Sequence, residues 1–131
     1  MNEKYMIITR GFKNVRKDED VIGFQFNIRE TYYRGIYLAI ISGLDISVDG
    51  EEFKPDQIRV SFGGRDYSFD EMAREETARW SFGDPATVTV LKHGGLRPGI
   101  HELQVTQVIK PAYIPGRGFV AHAKKRITLV Q

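Results

Sequence analysis

Ile22, Phe24, Phe26 and Ile28 occupy every second position of residues 21–29, and Gly23, Gln25, Asn27 and Arg29 fill the places between. Side chains on a strand alternate between its faces, so this segment is predicted to be a strand with one apolar and one polar face. Such a strand cannot stand alone, because its apolar face needs a second layer to cover it. The same alternation returns along the chain. Leu44, Ile46 and Val48 alternate with Asp45 and Ser47, and Asp49-Gly50 then offers a hairpin turn into residues 51–53. Ile58, Val60 and Phe62 alternate with Arg59 and Ser61, followed by the turn Gly63-Gly64. Residues 86–91 are rich in Thr and Val, Leu103 and Val105 alternate with Gln104 and Thr106, and Ile127 and Leu129 alternate with Thr128. Short strands separated by turn residues predict an all-β fold, an antiparallel, jelly-roll-like β-sandwich.

Two segments depart from this pattern. Residues 5–12 and 32–41 carry apolar side chains on both faces when read as strands. Strands buried on both faces belong inside parallel sheets, but nothing here suggests βαβ units. For 32–41 two explanations stay open: a central strand covered by a loop, or a strand covered by a second protein. One short helix is expected near residues 69–76. Ser68 and Glu71 form a capping box, and Tyr67 and Met72 occupy the two positions of a hydrophobic staple.

With 131 residues the chain is expected to form one domain over 1–131. Lys+Arg total 19 and Asp+Glu 17, giving +2, which is too balanced to demand a polyanionic partner. There are no cysteines, so disulfides, thiolate nucleophiles and thiolate metal sites cannot be built from this chain. The N-terminal residues contain no signal-like apolar run, and the strongly apolar stretch 36–41 is far short of the ~20 residues of a membrane span. A soluble, cytoplasmic protein is expected, with no membrane partner.

Candidate chemistry is sparse. His93, His101 and His122 show no metal-binding spacing, so no metal site is expected on this chain. His101 is in phase with Leu103 and Val105, which makes it either a half-buried strand histidine or a proton carrier at a subunit boundary. His93 and His122 read as solvent residues. The runs Asp18-Glu19-Asp20, Glu51-Glu52 and Glu75-Glu76 read as solvated charges rather than acid/base pairs. Neither a G-x-S-x-G elbow nor a phosphate-binding loop is present. Lys124-Lys125-Arg126 alternates into a strand and lacks the aromatics of an RNA-binding motif, so no nucleic-acid partner is expected. Three places carry aromatics that suit an interface or a ligand rim. They are Tyr32-Tyr33-Arg34-Gly35, the single Trp80 within Arg79-Trp80-Ser81-Phe82-Gly83-Asp84-Pro85, and the loop Tyr113-Ile114-Pro115-Gly116-Arg117-Gly118-Phe119.

Six pieces come in order: Gly11-Phe12-Lys13-Asn14-Val15, Gly23-Phe24-Gln25-Phe26, Tyr32-Tyr33-Arg34-Gly35, Val48-Asp49-Gly50-Glu51-Glu52-Phe53, Arg79-Trp80-Ser81-Phe82-Gly83-Asp84, and Gly94-Gly95-Leu96 through Val105-Thr106-Gln107-Val108-Ile109. In that order they resemble the small β subunit of bacterial C-glycoside deglycosidases, from about Gly11 to the C-terminus. The resemblance implies a subunit of a carbon–carbon lyase. Such enzymes release a flavonoid-type aglycone from a 3-oxo sugar by C2 deprotonation and β-elimination. It also implies a larger TIM-barrel α subunit as partner in a hetero-oligomer, with the catalytic base and a divalent metal, manganese, on that subunit. The isolated chain is then expected to be inactive, with no catalytic residue and no cofactor of its own. Tyr33, Arg34, Trp80, Tyr113 and Arg117 are expected at the substrate rim or interface; that expectation comes from residue type, not from the family. The alternatives are a stand-alone carbohydrate-binding β-sandwich or a structural adaptor without substrate contact.

Overall fold

The computed structural model describes residues 5–29, 36–75, 77–80, 84–110, 116 and 118–130. It is all-β and antiparallel, with two sheets facing each other across one core. The first sheet has the order β1 (Ile7–Lys17), β2 (Asp20–Ile28), β9 (Ala86–Leu91), β6 (Ile58–Phe62), β7 (Arg65–Tyr67). The second has the order β11 (Phe119–Leu129), β10 (Gly99–Ile109), β4 (Ile41–Val48), β5 (Glu51–Glu52). A two-stranded ribbon pairs β3 (Ile36–Tyr37) with β8 (Arg79–Trp80).

The alternation read in residues 21–29 is realised in β2. Phe24, Phe26 and Ile28 are fully buried, each contributing roughly 1.5–3 kcal/mol by leaving water. They face Leu103, Val105, Ile109, Ile46 and Val48 of the second sheet within one core cluster. Phe24 joins an aromatic chain through the layer, T-shaped to Phe12 at 6.4 Å and to Phe53 at 5.5 Å.

Local signals set the connections. The Asp49-Gly50 turn has φ of +51° and +87°, the pair of positive values that a two-residue type I′ hairpin requires. The helix α1 spans Phe69–Arg74, and its capping box forms as expected: Glu71 N–H donates to Ser68 Oγ and Ser68 N–H to Glu71 Oε1. Tyr67 and Met72, the staple pair, are both buried.

Residues 36–41 correct an expectation. They do not form one strand with two apolar faces. Ile36–Tyr37 is a two-residue strand, Leu38–Ile40 is a turn of 3-10 helix, and β4 begins at Ile41. Ile36 and Leu38 are buried while Tyr37 is 46% exposed. The apolar run is a corner turned into the core, which buries residues at irregular intervals. It therefore gives no support to a second protein covering a strand there; residues 32–35 lie outside the described set.

The outer edges β1 and β11 lie alongside each other. Lys125 points inward from β11 and donates to the Ile7 carbonyl oxygen at 3.3 Å. An inward charge on an edge strand discourages edge-to-edge association, which accounts for the middle member of the basic run.

Candidate functional site

The connections fall at two ends of the sandwich. One end holds the β1–β2 turn, the Asp49-Gly50 turn and the crossover from β9 to β10. The crossover changes sheets and is pinned at three places. The Asn14 amide pairs with Leu96 in both directions, Nδ2 donating to the Leu96 carbonyl at 2.9 Å and Oδ1 accepting from its N–H at 2.9 Å. Gly95 has φ +62°, and a Cβ there would lie 2.3 Å from Asn14 Oδ1, so only glycine fits. His101 closes the third link. Its Nδ1 is 2.6 Å from Asp49 Oδ2 and its Nε2 is 2.6 Å from the Arg97 carbonyl oxygen. Both neighbours are hydrogen-bond acceptors. The ring is 12% exposed and stands edge-on to Phe12. Asp49 Oδ1 accepts from Glu102 N–H at 2.8 Å. That backbone bond first, then the His101 bond, holds the Asp49 carboxyl below its ordinary value. His101 is thus a half-buried strand histidine, engaged within its own chain.

At the opposite end, β2 runs out toward residue 29, β10 toward residue 110, and β3 pairs with β8. Four contacts draw these places together. The buried Gln107 Nε2 donates to the Arg29 carbonyl at 3.2 Å. Lys110 N–H donates to the Ile40 carbonyl, and Leu38 N–H to the Ala78 carbonyl. Ile36 pairs directly with Trp80. The described residues that border segments 30–35, 81–83 and 111–117 therefore converge on one end.

Of the five residues singled out from sequence, Trp80 is described. Its side chain is in the core at 3% exposure, edge-on to Phe62 at 5.2 Å, with Nε1 donating to the Asp84 carbonyl at 2.8 Å. It thereby ties together residues 80 and 84. Beside it, Arg79 stacks over the exposed Tyr37 ring at 4.6 Å. Tyr33, Arg34, Tyr113 and Arg117 lie outside the described residues.

A concavity of about 590 Å³ lies on the outer face of the second sheet. Its floor is set by register: Thr106 stands between Asp45 and His122, and Gln104 stands between Ser47 and Lys124. The β5 edge forms a wall through Glu52, Lys54 and Pro55. Thr106 Oγ1 and His122 Nδ1 are 2.8 Å apart. His122, read from sequence as a plain solvent residue, is thus tied to a strand neighbour and lines a cavity. Its signal was the outward phase it shares with Gln104 and Thr106 across the hairpin. Among the described residues no cluster of three or more His, Asp or Glu could hold a metal ion. No helix among them is long and apolar enough to cross a membrane.

The comparisons give the family. The profile of the C-glycoside deglycosidase beta subunit family matches residues 2–113. The chain is 33% identical over 114 residues to a C-glycoside deglycosidase beta subunit from Eubacterium cellulosolvens, covering 86% of this chain and 78% of that one. It is 32% identical over 99 residues to a 3'-dehydrocarminate deglycosidase beta subunit from Microbacterium sp., covering 76% and 74% respectively. The chain belongs to the C-glycoside deglycosidase beta subunit family.

Proposed function

We propose that this chain is the small subunit of a heteromeric carbon–carbon lyase that releases a flavonoid-type aglycone from a 3-oxo-C-glycoside. The observation that carries the reading is the family match over residues 2–113. In this reading a separate oxidoreductase first places a ketone at C3 of the sugar, which acidifies the C2 hydrogen. A base takes the C2 proton, and the released electron pair becomes the C1–C2 double bond. The bond from C1 to the aglycone carbon breaks, and that carbon keeps the bonding pair and takes up a proton. The products are a 1,2-unsaturated 3-oxo sugar and an aglycone with hydrogen in place of the sugar. Such steps need a positioned base and acid of suitable pKa.

We assign that base to a larger TIM-barrel α subunit, because His101 is committed to Asp49 and Arg97 at the pinned end. A divalent metal, manganese, belongs to the α subunit as well. The described residues here offer no cluster fitted to hold one. On this chain Tyr33, Arg34, Tyr113 and Arg117 contact the α subunit or form the rim of its substrate site. Trp80 acts from beneath as an anchor for one of those segments. Assembly takes place in the cytoplasm.

The test is an assay of a 3-oxo-C-glycoside with the purified chain, with the α subunit, and with both. Turnover from the complex and none from this chain alone is expected. Robust turnover by the pure small chain would overturn the division of labour.

A further inference from the structure

We propose that the concavity on the outer face of β4, β10 and β11 is a binding site for a neutral polyhydroxylated ring, of the size of one monosaccharide unit. This inference stands apart from the family reading, since it concerns the single chain without any partner.

The floor is a polar array fixed by strand register. One row runs Asp45, Thr106, His122, and the next runs Glu52, Ser47, Gln104. Three strands at ~4.8 Å spacing and two outward positions ~7 Å apart give a platform of roughly 10 by 7 Å. That matches a six-membered ring with its hydroxyls, and the volume of about 590 Å³ holds it with water to spare.

The chemistry of the floor is ordered as well. Carboxylates, which only accept, stand on the β4–β5 side at Asp45 and Glu52. His122 stands on the β11 side, and between them Ser47, Gln104 and Thr106 can donate and accept. Among the described residues no protein group bonds the side chains of Asp45, Ser47 or Gln104. A hydroxyl both donates and accepts, so a ring of hydroxyls can satisfy an acceptor wall and a mixed floor at once. An anion would face two carboxylates against Lys54. A dication would find no three acidic or imidazole side chains, among the described residues, placed close enough to hold it. The wall adds an apolar surface in Pro55, suited to the C–H face of such a ring.

The sequence alternation explains why these groups are spared from the core. Ile46, Leu103 and Val105 take the inward phase and are buried, leaving Asp45, Ser47, Gln104 and Thr106 outward.

The test uses the full chain alone, with methyl β-D-glucopyranoside and, separately, inorganic phosphate as probes. Saturation-transfer NMR reads the sugar, and the His122 imidazole and Thr106 amide resonances read the protein. The glucoside is expected to saturate these shifts with a dissociation constant on the order of millimolar, and phosphate is expected to leave them in place. The double variant D45N/T106V should weaken the glucoside by about tenfold or more. Both residues are outward, so its melting temperature should match the parent; Q104L serves as a second variant if it does not. Thr89→Val, on the outer face of the other sheet, should bind like the parent. Absence of any glucoside shift, an equal affinity in the variants, or a larger response to phosphate would overturn the proposal. It would also be overturned if the variants bound the glucoside normally yet failed to co-purify with a larger subunit, since the face would then be a subunit interface.

Discussion

The two ends of the sandwich are built on opposite terms. At one end short turns and the β9–β10 crossover are tied by side chains that are distant in sequence: Asn14 to Leu96, His101 to Asp49 and Arg97. His101 and Asp49 there are engaged in holding the fold. At the other end the bordering residues 29, 36, 80 and 110 are held mainly by backbone bonds and by core side chains beneath them, Trp80 and Gln107. The aromatic and cationic residues expected to meet a partner belong to the segments that spring from that second end. Under the proposed function, the contrast separates a holding region from a working region, and substitutions at the two should therefore fail differently.

The largest expected effect is Trp80→Ala. The ring is buried against Phe62, so its loss should cost about 3–5 kcal/mol, read from the denaturant midpoint. If the midpoint stays put while assembly fails, Trp80 works as a contact rather than an anchor. Gly95→Ala comes next. With φ +62° and Asn14 Oδ1 in the path of a Cβ, it should cost about 1–3 kcal/mol by calorimetry. An unchanged melting temperature would show that the crossover is not pinned there.

A pH effect follows at the same end. The Asp49 carboxyl is held below the ordinary carboxylate value by bonds that form only in the folded chain, to Glu102 N–H first and then to His101. Its stabilising contribution is therefore present above that unfolded value and lost as pH falls through the lower folded value. Below about pH 4 the parent should lose stability more steeply than Asp49→Asn. The difference should stay under about 1 kcal/mol because the side chain is 52% exposed. Parallel acid profiles would remove Asp49 from the clamp. The smallest effect on stability belongs to the working end. Tyr33→Ala, Arg34→Ala, Tyr113→Ala and Arg117→Ala should each shift the midpoint by less than about 0.5 kcal/mol while weakening co-purification with the larger subunit or turnover by the complex. Normal assembly and turnover in all four would leave that end without a function.

What the sequence made legible was local or periodic. β2 was readable because eight positions keep one phase, and α1 because Ser68, Glu71, Tyr67 and Met72 sit within six residues. The corner at 36–41 was misread because burial at irregular intervals in a 3-10 turn imitates a strand covered on both faces. The clamp at His101 joins positions 52 residues apart, and the concavity depends on the register among β4, β10 and β11. Neither is visible until the sheet is assembled. Tryptophan's burial was equally hidden: residue type suits a rim or a core, and only the pairing of Ile36 with Trp80 decides for the core.

The most direct test of the division between the ends is hydrogen exchange of the chain alone and in complex with its larger subunit. The account predicts new protection in residues 29–36, 80–86 and 109–119, with residues 47–52 and 92–101 exchanging alike in both states. Protection confined to 47–52 and 92–101, with the first three segments unchanged, would contradict it.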